Sequence, residues 1–148
     1  MAIAQAVCNV FKRELLKGNH DLDGGATYKI ALFTSSATLG AATANYAAQA
    51  SDNQVANGSG YTTGGATLTS PTVTMSTTVS YVDFADASWT GASFTANGAL
   101  IYQSTGDAAS GDNAFLVLAF GGDFTASSGT FTIQFPTAGG GSELLRLT

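Results

Sequence analysis

The sequence predicts a mainly β protein: an antiparallel β-sandwich or jelly-roll-like barrel preceded by one N-terminal amphipathic α-helix. Three observations lead there. Short apolar runs recur along the chain from residue 28 onward. Clusters such as "SWTGAS", "TGDAASGDN", "GGDFTASSG" and "TAGGGS" separate many of them, and Gly, Asp, Asn and Ser are turn formers. A helical period occurs once, at the start.

That period covers residues 3–17. Val7, Phe11 and Leu15 recur four apart, Ile3 extends the stripe backwards and Cys8 widens it. Lys12, Arg13, Glu14 and Lys17 lie mostly off the stripe, with bases near the C-terminal end where they oppose the helix dipole. Gly18 is placed to stop the helix. "HDLDGGAT" follows as a connecting turn. The chain is expected to divide into a docking segment, 1–22, and a β-sandwich domain, 23–148. The docking interface is expected on Val7, Phe11 and Leu15, with Lys12, Arg13 and Lys17 orienting it.

Strands are predicted over 28–34, 65–69, 78–85, 87–90, 98–104, 114–120, 129–135 and 143–147. Ile30, Leu32, Phe131, Ile133 and Phe135 are core candidates. In "GTFTIQF", Phe131, Ile133 and Phe135 alternate with Thr130, Thr132 and Gln134, as in a half-buried antiparallel strand. "AFLVLAF", 114–120, is apolar on both faces, so it is central or lies in an interface. Residues 35–65 are weakly patterned and read as an extended loop with one short strand near Tyr61. Loops this long are usually functional.

With 148 residues the chain is long enough for one domain with a real core. Charged residues make up 10%, against about 25% in ordinary domains. Low charge density gives little repulsion between copies, so homo-oligomer formation is expected. Net charge is −5, and past residue 17 two bases face nine acids. A phosphate-binding surface needs clustered Lys and Arg, so no nucleic acid is expected as a partner. No membrane association is expected either: residues 1–7 lack the positive region of a secretory signal, and no apolar run nears the ~20 residues of a spanning helix.

Cys8 is the only cysteine and His20 the only histidine. Cys8 lies on the stripe of the predicted helix and His20 beyond its end, about 15 Å or more apart across three helical turns, too far for a nucleophile–base pair. Cys8 reads as a small buried hydrophobe. "DLDGG" resembles the start of an EF-hand loop but lacks the third acid and the closing glutamate, with Gly25 and Leu32 at those positions. The stretch from Asp21 to Gly25 reads as an Asx-type turn. Asp83 and Asp86, near Tyr81 and Trp89, match a glycosidase carboxylate pair in type, yet read as solvated acids at a strand end. Trp89 reads as core. No catalytic residue, metal site or cofactor is expected.

Six stretches in this order carry a resemblance: "CNVFKRELLKGNHDL" (8–22), "YKIALFTSSATLGAATANY" (28–46), "GYTTGGATLT" (60–69), "VDFADASW" (82–89), "GALIYQS" (98–104) and "FTIQFPTA" (131–138). Together they resemble a family of small virion structural proteins of tailed bacteriophages, over nearly the whole chain. The resemblance implies a non-enzymatic component of the virion, assembled in the host bacterial cytoplasm. The first expectation is a capsid decoration (cement) protein contacting the major capsid protein. The alternatives are a tail, neck or baseplate component, or a receptor- or glycan-binding module resting on Trp89, Tyr102 and the long loops.

Overall fold

Strand pairing, not the helix, organises the chain. The computed structural model describes residues 2–51, 53–106, 108, 111–139, 141 and 143–148. In chain order the elements are β1 (Ala6–Val7), α1 (Asn9–Leu16), β2 (Tyr28–Phe33), α2 (Tyr46–Gln49), β3 (Ala66–Thr67), β4 (Thr72–Ser76), β5 (Val79–Asp83), β6 (Ala87–Gln103), β7 (Ala114–Ile133) and β8 (Leu145–Leu147). They form two antiparallel sheets, one of five strands in the order β1-β7-β6-β2-β3 and one of three in the order β4-β5-β8. Neither closes on itself, which corrects the barrel expectation: β1 and β3 are two-residue edges, too short to pair around a ring.

The main sheet is built on one long hairpin. Tyr102 pairs with Ala114 near its turn and Ala87 with Ile133 at its open end. The expected strands 87–90 and 98–104 are one strand, as are 114–120 and 129–135. The Gly- and Ser-rich stretches between them form bulges that bend the ladder without ending it. At the largest, Phe120 to Asp123 of β7 stand opposite the single Asn97 of β6, whose Nδ2 donates to Asp123 Oδ1 at 2.8 Å. Gly121 takes the left-handed conformation there, with φ +78°. "AFLVLAF" is central: its first four residues are buried between β1 and β6.

The helix is shorter than its apolar period. Ala6 and Val7 pair with Val117 and Leu116, and Ile3 bridges Leu39, so α1 starts only at Asn9. The stripe continues upstream in strand geometry because β7 offers an open edge to pair with. Gly18, at φ +79°, ends the helical region as expected.

Residues 35–65 wrap the main sheet and are fastened to it. Val55 N donates to Leu32 O at 2.9 Å. The Tyr61 hydroxyl accepts from Leu32 N at 2.9 Å and from Gln54 Nε2 at 2.7 Å. Tyr46, on α2, stacks on Tyr102 with centroids 4.3 Å apart. The strand expected near Tyr61 is a single bridge to Gly58. The segment ends at Gly65, where φ is +81° and a Cβ would fall 1.9 Å from Ile30 O, so only glycine lets β3 reach β2.

Candidate interaction surface

The opening segment is knit into the body. Phe11 is 1% exposed, its ring 4.8 Å from that of His20 and packed on Phe115. Phe11 therefore faces this chain's own core, and the docking role expected of it is corrected. Val7 lies half-buried in β1, and Leu15 is half-buried against the core. A boundary at residue 22 cuts through one continuous apolar cluster that includes Cys8 and Phe11.

Arg13 and Lys17, but not Lys12, converge on Glu14, which is 4% exposed. Lys17 Nζ reaches its two oxygens at 3.1 and 3.2 Å, Arg13 Nε reaches Oε1 at 2.7 Å, and Asn19 Nδ2 donates to Oε2. The hydrogen bond from Asn19, then that from Arg13, hold the carboxyl down at about 2. Arg13 also pairs with Asp112 at the turn of the β6–β7 hairpin. Lys12, exposed, reaches Asn9 Oδ1 at 3.4 Å. Arg13 and Lys17 thus neutralise a buried carboxylate and tie α1 to the hairpin.

Cys8 and His20 have separate surroundings. Burial pushes the Cys8 thiol up to about 12, and its Sγ approaches Gly40 O at 4.0 Å. His20 is buried, with Nδ1 2.8 Å from the Tyr28 hydroxyl, which donates to Gln103 Oε1 at 2.9 Å. That donation assigns the imidazole proton to Nδ1. Burial lowers the imidazole to about 4. A protonated thiol and a neutral imidazole with different partners make no catalytic dyad.

Asp21, Asp83 and Asp86 each accept from a backbone amide. Asp21 Oδ1 accepts from Asp23 N at 3.0 Å, the Asx turn read from the sequence. Asp83 Oδ1 accepts from Phe84 N and Asp86 Oδ1 from Phe135 N, both at 2.9 Å. Among the described residues no three of His, Cys, Asp and Glu gather as metal ligands, and no helix is long and apolar enough to cross a membrane. Trp89, 6% exposed, packs between Tyr61 and Phe131.

What remains open is apolar surface. Cross-strand register puts Val73, Val82 and Leu145 in one row of the small sheet and Met75, Ser80 and Leu147 in the next, all on one face. Val82 is buried, whereas Val73, Met75 and Leu147 are 48%, 71% and 53% exposed. A groove of about 510 Å³ runs between this face and Leu15, Leu22 and His20. A second hollow, about 230 Å³, lies on the open half of the long hairpin beside Phe120, Phe124 and Phe131. Sequence reasoning missed β4 altogether. Its signal was the alternation "TVTMS", obscured by Pro71 just before it and by a high share of threonine. No family model, curated protein or solved structure matches this chain.

Proposed function

We propose that the protein is a structural component of a bacteriophage virion, a capsid decoration protein that works by assembly with copies of itself and with the major capsid protein. The observation that carries the reading is the pairing of apolar, uncharged edge surface with titratable groups that are held by structural partners. Val73, Met75, Leu147 and Phe124 are exposed on a chain with little charge to keep copies apart. The sequence resemblance to virion structural proteins supports the same reading. The two sheets further read as layers of a sandwich: Phe84, just beyond β5, sets its ring 5.7 Å from Tyr28 of β2.

Copy number in purified particles tests the proposal. A decoration protein is present at the many equivalent positions of the head lattice. A count matching the few positions of a tail or neck ring moves the protein to the tail, and absence from particles refutes the virion reading.

A further inference from the structure

The small sheet ends on an unusual strand. β4 is its outer edge and pairs only with β5, from Thr72↔Asp83 to Ser76↔Val79. All five of its residues are exposed. Among the described residues no further hydrogen bond reaches its backbone. Natural edge strands are commonly blunted by charge, by proline or by a bulge. This one carries none of these within its length: residues 70–80, "SPTVTMSTTVS", hold no charged side chain, and Pro71 precedes the strand. The nearest charges of the sheet are Asp83 on the middle strand β5, opposite Thr72, and Arg146 on the far edge strand β8.

The strand is also chemically symmetric. Hydroxyl, apolar, hydroxyl, apolar, hydroxyl reads the same in both directions about Thr74. In an antiparallel pair related by a two-fold axis, residues equidistant from the axis face each other. With the axis at Thr74, Val73 meets Met75 of the other copy on the apolar face. Thr72 meets Ser76, and Thr74 meets itself, on the other. No charge approaches a like charge, although each chain carries a net −5. A partner of opposite charge would find nothing on this edge to select it, whereas an identical strand matches it position by position.

We propose that β4 is a self-association edge, on which a second copy of this chain adds antiparallel with Thr74 on the two-fold axis, joining two three-stranded sheets into one of six strands. The inference deepens the assembly reading and rests on its self-association. Its register is measured on the free protein, so it stands or falls apart from the protein's place in a particle.

Disulfide trapping tests both the edge and the register. Cys8 is fully buried, so an introduced cysteine is the accessible thiol. Thr74→Cys sets two thiols face to face across the axis, within disulfide range. Ser76→Cys sets them about 13 Å apart, four residue rises, beyond reach. The expected result under mild oxidation is a cross-linked dimer from Thr74→Cys, lost when Val73→Lys and Met75→Lys are added, and none from Ser76→Cys. Circular dichroism confirms that each variant is folded. Failure of folded Thr74→Cys to cross-link, or equal cross-linking by both single variants, overturns the proposal.

Discussion

The ring of Phe11 lies 4.4 Å, centroid to centroid, from that of Phe115, joining the helix α1 to the inner strand β7. This contact makes the opening segment part of the fold. Phe11→Ala removes a fully buried aromatic side chain and leaves a cavity bounded by β7 and His20, at an expected cost of about 3–5 kcal/mol. Urea denaturation of the free protein measures it. An unchanged midpoint would return Phe11 to the role of an external docking residue.

Stability should fall as the solution is acidified from neutrality, and His20 should set where the fall begins. Its folded pKa of about 4 lies below the ordinary 6.5, so between those values the unfolded chain binds the extra proton. The stability tied to the neutral imidazole is complete above pH 6.5 and declines below it, by up to about tenfold in the folding equilibrium per pH unit. Glu14 acts in the same direction at lower pH: its contribution is present above 4.5 and is lost as pH falls toward about 2. Melting temperature against pH should show both stages. His20→Gln should flatten the upper one, and a slope unchanged by that substitution would assign it to another group.

The Tyr61 hydroxyl should hold residues 35–65 against the main sheet. Tyr61→Phe leaves Leu32 N and Gln54 Nε2 without their acceptor, at about 1–3 kcal/mol for the buried amide. Hydrogen exchange should quicken at Leu32 and through the segment around Val55, while the β6–β7 hairpin changes least. Uniform quickening of the whole chain would mean that this segment has no local stability of its own.

Period-two patterning made much of the β core legible. Ile30 and Leu32 fall in a buried strand, and Phe131 and Ile133 pack from a half-buried one. Strand continuity was not legible, because Gly91, Gly121 and Ser128 look like turn residues but take positive φ within a continuing ladder. The helix boundary at Asn9 was hidden for a related reason: Ala6 and Val7 satisfy a helical period and a strand edge equally, and the open side of β7 decides between them. The basic residues of α1 suggested an outward-facing function because a buried Glu14 cannot be read from spacing alone. The β4 edge needed the sheet order before its alternation had meaning.

Incorporation of Val73→Lys/Met75→Lys into particles that have it as their only source of the chain tests most directly the proposal that this chain assembles through its small sheet. Both side chains are exposed, so the free variant should keep its melting temperature within a few degrees. The predicted result is a folded protein whose incorporation drops by at least about tenfold, the equivalent of 1.4 kcal/mol of lost contact. Incorporation at the wild-type level by the folded variant would contradict the account.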